Sequence, residues 1–531
     1  MIIYVKKNKW ILTGVFISAL ISNLCAVRLQ FFKGSILDAA IQRDSSNTFR
    51  NIILLISFIL LECLFFYLYN QLRSFFTVKC VSLLREDFFQ GLINKHFIDF
   101  TESNKGEYIA KYTNDLEKVK DMYFSTMTLL INLISKIILV SIALFILDIR
   151  VAVITLTLLT MPLYIPKLIE KRLKTCQMDY MASVNTNLRE LTDWLANFEV
   201  IKMFSIEKKI TEKYTESNNI VMKKMMNNYS INYTSNLLTM LMSYVSHFLI
   251  LALSAYLVLN GNFTAGTFFV SVGLIDQLSY PIISISTALQ NIVSVRPIST
   301  DMIDFINKKR IEKEDRIYKD TVIEIDIRNL SFSYNDKKLI DNFSFKFKKN
   351  KKYLIQGKSG SGKTTLINLM LNYYSDYQGE ILLNKDNIKE IINIYPYVTV
   401  VRQDAALFHD TLRNNLNMYN NNISDNQIIK VLKLVNLQKY ANEEALNEMV
   451  LEGGLNLSGG EKKRISVARG LLRNTDILIF DEPLANLDDD NVSNLENFLL
   501  SIEGKVLIIV SHQFSQEKMD YFDNVINLNR L

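Results

Sequence analysis

The pattern of apolar and polar positions divides this chain into two parts of different character. Over about the first 300 residues, long apolar runs alternate with basic segments. A helix needs about 20 apolar residues to cross a bilayer. Six runs reach that length, at about Trp10–Phe32, Ile52–Tyr69, Met127–Leu147, Val151–Ile169, Leu237–Leu259 and Thr267–Leu289. Their length and number together argue against buried helices of a soluble core.

The connections between these runs indicate an orientation. The third and fourth runs meet at Asp148-Ile149-Arg150, and only residues 260–266 join the fifth and sixth. Lys and Arg collect instead at the N-terminus and in the long second-to-third and fourth-to-fifth segments. Positive residues concentrate on the cytoplasmic side, so we predict a multi-pass protein of the cell membrane with both termini cytoplasmic. Helical patterning in the two long segments predicts membrane helices that continue into the cytoplasm.

Ionisable residues fall inside several predicted spans. Such residues are costly in a bilayer, and they usually face a pathway or one another. For Glu62, Lys136 and Asp276, a cavity-lining role and pairing between helices both stay open. Arg28 lies near enough to the end of its span to reach the interface, and we do not expect His247 to line a cavity.

Charged residues from about 307 to 321 predict a linker between two domains. Residues 1–306 form the predicted transmembrane domain, and residues 322–531 the predicted soluble α/β domain. Val322–Ile327 and Leu330–Tyr334 have the composition of two short strands that open the second domain.

A glycine-rich turn in the second domain fits the phosphate-binding pattern G-x-x-x-x-G-K-[ST]. It follows a strand-like run, Lys352–Gln356, and precedes a helical pattern, Thr365–Leu371. Backbone N–H groups of such a turn point at phosphate oxygens, and the helix N-terminus adds its dipole. Lys363 adds a positive charge near the β- and γ-phosphates, and Thr364 places a hydroxyl where Mg²⁺ binds. The candidate nucleotide-binding residues here are Gly357, Ser359, Gly360, Ser361, Gly362, Lys363, Thr364 and Thr365.

An apolar run ending in two carboxylates, Ile477–Glu482, predicts a central strand of a parallel sheet. Asp481 can hold Mg²⁺ through water, and Glu482 can polarise an attacking water. Phosphoryl transfer needs mainly positioning and charge stabilisation, so two carboxylates suffice. The alternative, an acidic pair at a helix N-terminus, weakens because the pair follows the phosphate-binding turn by about 120 residues.

Ser458, Gly459 and Gly460 precede a helical pattern, Lys462–Leu472, and offer a second anion site at a helix start. Most of the domain separates this site from the glycine-rich turn, so one nucleotide need not touch both within one chain. The sequence therefore predicts a nucleotide held between two copies of the domain.

Composition adds little to this picture. The chain has 531 residues, a net charge of +6 and 49% hydrophobic residues. Because most basic residues lie between apolar runs, they indicate membrane orientation, and no nucleic-acid partner is expected. The abundance of Asn, Ile and Lys indicates an AT-rich bacterial genome.

The second domain resembles the nucleotide-binding domain of ABC transporters in the order and spacing of its motifs over about 200 residues. By this resemblance, Tyr334 stacks on adenine, Gln403 is the Q-loop glutamine, and His512 is the switch histidine that contacts the γ-phosphate. The implied catalytic set is Glu482, His512, Gln403 and Lys363. The implied Mg²⁺ set is Thr364, Gln403 and Asp481.

Two further segments carry the resemblance, each with a departure. Leu457–Glu461 is similar to the signature LSGGQ, with Glu461 in place of the last Gln, whose carboxylate could slightly weaken anion affinity. In the family, Ser458, Gly459 and Gly460 act on the ATP of the partner chain. Residues 485–488 resemble the D-loop, with Ala485 and Asn486 where Ser and Ala are usual.

The membrane part resembles the six-helix domain of exporter-type ABC proteins. Phe100–Glu107 and Thr113–Asp115 are similar to the first intracellular loop of that family, and Phe198–Phe204 to the second. In that family these loops carry coupling helices that dock on the nucleotide domains.

The resemblance implies a half-transporter with an all-α membrane domain of six helices extended into the cytoplasm and a C-terminal α/β P-loop ATPase. Such a chain uses ATP and Mg²⁺ and works as a dimer. Since Glu482 and His512 are both present, a homodimer is preferred to a heterodimer with a degenerate sister chain. The expected function is ATP-driven export of an amphipathic drug-like small molecule, lipid or peptide. A nucleotide-gated channel or sensor, and an importer of the same fold, are the alternatives. No N-terminal cysteine-protease domain is expected, because the first span begins at Trp10.

Overall fold

The computed structural model describes residues 1–528 apart from 96, 102–104, 162–163, 165–167, 308–320, 335–336, 359, 392–393, 485–488, 513 and 515. The chain divides into two compact units. One consists of Met1–Ile93 and Asn104–Lys308, and the other of Asn94–Ser103 and Lys309–Leu531. Nearly all of the predicted linker lies outside the described residues, so the boundaries at 306 and 322 stay a prediction.

The first unit is built from helices. They are α1 Ile2–Lys7, α2 Lys9–Ile41, α3 Ser45–Ile93, α5 Lys105–Ala110, α6 Leu116–Val119, α7 Thr126–Leu147, α8 Ile149–Thr160, α9 Glu170–Ala196, α10 Phe198–Met203, α11 Glu207–Leu259 and α12 Ala265–Asn307, while α4 Phe97–Thr101 belongs to the second unit. Two π-helical turns, Lys111–Asp115 and Lys120–Ser125, join α5, α6 and α7 into one long helix. The predicted all-α character of this part is confirmed.

Five helical stretches among the described residues are long and apolar enough to cross a membrane: α2, α3, Lys105–Leu147, α11 and α12. They contain the first, second, third, fifth and sixth predicted spans. The fourth predicted span, Val151–Ile169, begins in the 12-residue apolar helix α8. Residues 162–163 and 165–167 of that span lie outside the described residues, so its continuation stays a prediction.

The membrane helices extend far beyond their apolar runs, as the patterning predicted. Helix α3 has 49 residues and α11 has 53. At 1.5 Å per residue these lengths are about 74 and about 80 Å, whereas the hydrocarbon core of a bilayer is about 30 Å thick. The long basic segments are therefore largely helical continuations of spans, not irregular loops.

Aspartates close two of the short helix connections. Asp148 has an extended backbone, and its carboxylate accepts hydrogen bonds from the N–H groups of Arg150, at 2.8 Å, and Val151, at 3.4 Å, which caps α8. Asp38 of α2 accepts from the N–H of Gly266, at 2.7 Å, and from the hydroxyl of Thr264, at 2.6 Å. These bonds satisfy N–H groups that a helix start leaves free, and the second set ties α2 to α12.

Glycines bring α2 and α12 into direct backbone contact. A Cβ added at Gly34 would lie 2.7 Å from the carbonyl oxygen of Gly266 and would overlap the side chain of Val270. Small residues at such a crossing let membrane helices approach closely. The two helices are therefore packed with no room for a side chain at this point.

Three of the ionisable membrane residues lie close together. Lys136 of α7 and Asp276 of α12 line one open cavity of about 500 Å³, with Gln30 and Lys33 of α2. Nδ1 of His247 lies 3.6 Å from Oδ1 of Asp276. A cavity-lining position is thus found for Lys136 and Asp276, and His247 pairs with one of them.

The second unit contains two main sheets. One is antiparallel, in the order β2-β1-β4-β5, from β1 Glu324–Tyr334, β2 Lys337–Lys348, β4 Gln378–Leu383 and β5 Asp386–Asn387. The other is parallel, in the order β11-β3-β10-β9-β6, from β3 Lys351–Gln356, β6 Val398–Val401, β9 Ile477–Asp481, β10 Val506–Val510 and β11 Asn524–Asn527. Two short strands, β7 Asp410–Thr411 and β8 Met449–Val450, pair separately.

The helices of this unit cover both faces of the parallel sheet. They are α13 Lys363–Met370, α14 Leu412–Asn417, α15 Asp425–Leu434, α16 Glu443–Leu446, α17 Gly459–Leu472 and α18 Asp489–Leu500. Alternate residues of β9 enter different cores: Ile477 and Ile479 lie in one, and Leu478 and Phe480 in the other. A strand buried on both faces reads as a continuous apolar run, which is why the sequence identified β9 as central.

The two short strands predicted at the start of this domain are one irregular strand. β1 runs from Glu324 to Tyr334, and its register shifts between Ile327 and Leu330. Asn329 has a φ of 47° there, and a bulge of this kind bends a strand without ending it. The polar residues that suggested a break mark this bulge.

Helix α4 belongs to the sheet-containing unit although it follows α3 in the chain. The ring of Phe97 stacks on that of Tyr373, just after α13, with centroids 4.2 Å apart and planes 21° apart. Phe97 precedes the predicted first intracellular loop, Phe100–Glu107, and docking of that loop stays a prediction. Docking of the second loop, which forms α10, stays a prediction.

Candidate nucleotide-binding site

The glycine-rich turn connects the end of β3 to the start of α13. Gly360 and Gly362 have φ values of 81° and 90°, a left-handed conformation that glycine adopts without strain. Gly362 is the N-cap of α13, so the first N–H groups of the helix face the turn. The strand–turn–helix context that the sequence predicted is present.

Two side chains of the turn have unusual surroundings. The Ser361 hydroxyl oxygen is buried and has no hydrogen-bond partner among the described residues. Nζ of Lys363 donates to the carbonyl oxygens of Gly357, at 2.6 Å, and Lys358, at 3.1 Å. Burial lowers the pKa of Lys363, while Glu482 and Asp481 oppose that shift. An unpartnered hydroxyl and an ammonium in the same turn both suit a phosphate oxygen.

The two predicted carboxylates lie at the end of β9. Asp481 is only 6% exposed, and this burial raises its pKa, although nearby Arg402, Lys463 and Lys363 counteract the rise. Glu482 follows with a φ of 50°, and its N–H donates to the carbonyl oxygen of Val510 at 2.8 Å. A left-handed glutamate carries backbone strain of the kind found at functional sites. The bond to β10 holds this conformation.

His512, just after β10, brings the other groups together. Its Nε2 lies 2.7 Å from Nζ of Lys363 and 3.6 Å from Oε1 of Glu482. Because β3, β9 and β10 are neighbouring parallel strands, the residues that follow them meet at one edge of the sheet. A lysine, a histidine and a glutamate from three parts of the sequence thereby form one cluster.

The serine of the second anion site closes a capping box. Its hydroxyl accepts from the N–H of Glu461 at 3.2 Å, and the Glu461 carboxylate accepts from the N–H of Ser458 at 2.8 Å. Burial would raise the pKa of Glu461, but the Ser458 bonds and Lys439 lower it. A Cβ added at Gly459 would meet nothing within 4 Å. The capping box therefore orders the start of α17, and the space beside Gly459 is open.

Several other predicted site residues are exposed to solvent. Tyr334 at the end of β1 is 55% exposed, and the side chains of Gln403 and Thr364 are also exposed. Ser359 and the predicted D-loop, residues 485–488, lie outside the described residues. Among the predicted site residues that the structure describes, Gly357, Gly362 and Asp481 are buried and the others are at least partly exposed.

Two cations near Asp481 were not singled out from the sequence. Nη1 of Arg402 lies 3.9 Å from Oδ2 of Asp481, and Nζ of Lys463 lies 3.4 Å from its carbonyl oxygen. Lys463 stands four positions before Val467 and seven before Gly470, on the buried face of α17. The sequence could have indicated the burial of Lys463, because this lysine occupies a position of the helical repeat that is otherwise apolar.

Residues 11–282 match the ABC transporter transmembrane region, and residues 340–485 match the ABC transporter family. The microcin-J25 export ATP-binding/permease protein of Escherichia coli is 30% identical over 492 residues, which cover 86% of this chain and 82% of that protein. The ATP-dependent lipid A-core flippase of Syntrophus aciditrophicus is 26% identical over 456 residues, covering 84% of this chain and 75% of the flippase.

The fold has a counterpart among solved structures. The structure of a bacterial Atm1-family ABC exporter with ATP bound superposes with a TM-score of 0.82 at 19% sequence identity, over 98% of this chain and 94% of the exporter chain. This likeness covers both units and supports the all-α plus α/β fold class.

Fold and site together define a multi-pass membrane permease with an ATP-binding domain in the same chain. The chain belongs to the ABC transporter family. It is an exporter of the half-transporter kind, and its activity is ATP hydrolysis coupled to transport. Half-transporters of this family generally dimerise.

Proposed function

We propose that two identical copies of this chain form an exporter that moves an amphipathic peptide, lipid or drug-like molecule out of the cytoplasm. The observation that carries the proposal is the cluster of Lys363, His512 and Glu482 beside the glycine-rich turn. A cation, a histidine and a carboxylate grouped in this way suit the binding and hydrolysis of one terminal phosphate.

Each site residue has a proposed role in hydrolysis. Lys363 and the amides of the turn hold the β- and γ-phosphates, and Tyr334 stacks on adenine. Glu482 orients and polarises the attacking water, and His512 contacts the γ-phosphate. Thr364, Gln403 and Asp481 would hold Mg²⁺, which neutralises phosphate charge when bound.

The dimer follows from the second anion site. Ser458 and Gly459 lie at the start of α17, and the open space beside Gly459 leaves room for a ligand brought by another molecule. We propose that this tip contacts the ATP held by the partner chain, so closing the dimer traps two nucleotides. ATP shifts this equilibrium because it binds the closed state more tightly.

The cavity lined by Lys136, Asp276, Lys33 and Gln30 supports a cargo pathway. Charged side chains in membrane helices are too costly to face lipid unpaired, so we propose that this cavity faces the pathway. One relative is named for export of microcin-J25 and another for flipping lipid A core, and both match more than four fifths of this chain, which supports a large amphipathic cargo. The basic segments between the spans support a cytoplasmic position for both termini.

The test is ATP hydrolysis and transport by the full chain in vesicles, with panels of peptides, lipids and drugs. We expect one class to raise the hydrolysis rate and to accumulate inside inverted vesicles with ATP, but not in vesicles that carry Glu482→Gln. Hydrolysis that no cargo changes would contradict the export proposal. An ATP-dependent ion conductance without cargo movement would favour a gated channel.

A further inference from the structure

A buried lysine joins three segments of the ATPase domain. Lys463, in the second turn of α17, is 4% exposed. Its ammonium donates to the carbonyl oxygens of Arg402, at 2.9 Å, Gln403, at 3.0 Å, and Asp481, at 3.4 Å. An ammonium has three N–H donors, so its whole hydrogen-bonding capacity goes to backbone of other segments.

Burial of the Lys463 ammonium is costly, and neighbouring groups offset that cost. Burial lowers the pKa of Lys463, and Asp481, Glu482 and Asp404 act in the opposite direction. A buried cation is stable only with good partners, and removing it leaves buried acceptors unsatisfied. The ammonium and the three carbonyl groups therefore hold one another in place.

The segments that Lys463 joins serve different nucleotides in the proposed dimer. Arg402 and Gln403 follow β6, and Asp481 ends β9 beside Glu482. These two segments therefore belong to the proposed site where this chain binds ATP. Helix α17 instead presents Ser458 and Gly459 to the ATP of the partner. Lys463 is thus a physical connection between the two sites.

We propose that Lys463 is a positioning residue that couples the two ATP sites of the dimer, by fixing the signature helix α17 to the backbone at Gln403 and Asp481. Displacement of Gln403 or Asp481 when ATP binds to one chain then moves the tip of α17 at the other nucleotide. The inference rests on the proposed dimer and adds a route of communication to it.

If Lys463 had only a structural role, replacing it would lower the stability of the protein without changing how the two ATP sites depend on each other. The test therefore measures kcat, KM and the Hill coefficient for ATP with the full chain in lipid nanodiscs. Lys463→Met removes every donor and leaves an unbranched side chain one atom shorter than that of lysine. Lys463→Gln keeps two donors on a shorter side chain. Lys433→Met makes the same chemical change on the exposed face of α15 and is the control.

We expect the Hill coefficient to fall toward about 1 in Lys463→Met, since independent sites show no cooperativity. We also expect kcat to fall by about tenfold or more, and KM to change less than about twofold. The Hill coefficient and kcat of Lys463→Gln should lie between those of Lys463→Met and the wild type. Those of Lys433→Met should match the wild type. If Lys463→Met does not fold, Lys463→Gln alone decides.

Wild-type cooperativity and kcat in folded Lys463→Met, or in Lys463→Gln, would overturn the proposal. A loss confined to thermal stability would do the same. Glu482→Gln, run in parallel, separates this result from the underlying function. If Glu482→Gln is inactive while Lys463→Met is normal, only the coupling role fails; full activity of Glu482→Gln would refute the ATPase assignment itself.

Discussion

Nζ of Lys363 lies 2.7 Å from Nε2 of His512, although the two residues are 149 positions apart in the chain. Since an ammonium has only donors, Nε2 of the histidine is the acceptor in this contact. The lysine also donates to two carbonyl groups of the glycine-rich turn. Its side chain is therefore already held at the turn, and phosphate oxygens can take over its bonds without a large rearrangement.

Lys363→Ala should lose ATP affinity by roughly ten- to a hundredfold, because a hydrogen bond to a charged group contributes about 1.5–3 kcal/mol. Binding of a fluorescent ATP analogue to the detergent-solubilised chain measures this loss. Lys433→Ala, an exposed lysine on α15, is the matched control. Wild-type affinity in Lys363→Ala would refute the phosphate-binding role of the turn.

Glu482→Gln should bind ATP with nearly unchanged affinity but hydrolyse it at least about a hundredfold more slowly, the usual effect of losing a general base. Gln has the same shape and can occupy the same left-handed backbone position. Phosphate release under single-turnover conditions gives the rate, and Glu503→Gln, at an exposed position, is the control. Normal turnover would exclude Glu482 as the residue that polarises water.

The helix crossing at Gly34 gives a prediction for the membrane domain. Gly34→Ala should destabilise the protein by about 1–3 kcal/mol, because a Cβ there overlaps Val270 and the backbone of Gly266. Gly14→Ala is the control, since its Cβ would meet only the flexible side chain of Leu72, at 3.3 Å. Thermal unfolding of both variants in the same detergent distinguishes them. Equal melting temperatures would contradict the close crossing of α2 and α12.

The capping box of α17 gives a pH-dependent prediction. The folded-state pKa of Glu461 is lowered, so its stabilising effect is present above the pKa of the unfolded chain and is lost as pH falls through the folded value. Amide exchange in the first turn of α17 should be slower in the wild type than in Glu461→Gln at pH 7. The difference should shrink as the pH falls below the ordinary titration range of a glutamate carboxyl group. A difference that grows on acidification would contradict the capping role.

Much of this fold follows from local pattern. Continuous apolar runs predicted β9 and the membrane helices, and the strand–turn–helix context predicted the phosphate site. In each case the pattern lies within one short segment of the chain. The bulge at Asn329 was missed because a left-handed residue inside a strand leaves a polar pattern like that of a loop. Helix α4 groups with the second unit, where Phe97 stacks on Tyr373, and no local pattern encodes a contact between residues so far apart in the chain.

The sequence predicted which residues form the candidate site, but it did not predict which of them contact one another. Motif spacing identified Lys363, Glu482 and His512, yet their meeting point depends on the strand order β3-β10-β9. Lys463 was overlooked because a lysine in a helix is usually solvated. Its burial depends on the ends of β6 and β9, which lie far from it in sequence.

In the proposed dimer, each ATP site combines the glycine-rich turn of one chain with the tip of α17 from the other. The most direct test combines Lys363→Ala in one chain with Gly459→Asp in its partner, with two affinity tags so that only mixed dimers are purified. Gly459→Asp has space within its own chain, but its carboxylate would repel a phosphate brought by another chain. Dimers of either variant alone should hydrolyse almost no ATP.

In the mixed dimer, one composite site carries both changes and the other carries neither. We therefore expect hydrolysis to recover to as much as about half of the wild-type rate, since one of two symmetric sites is intact. If each site were built within a single chain, both sites would stay defective. A mixed dimer as inactive as its two parents would contradict the account.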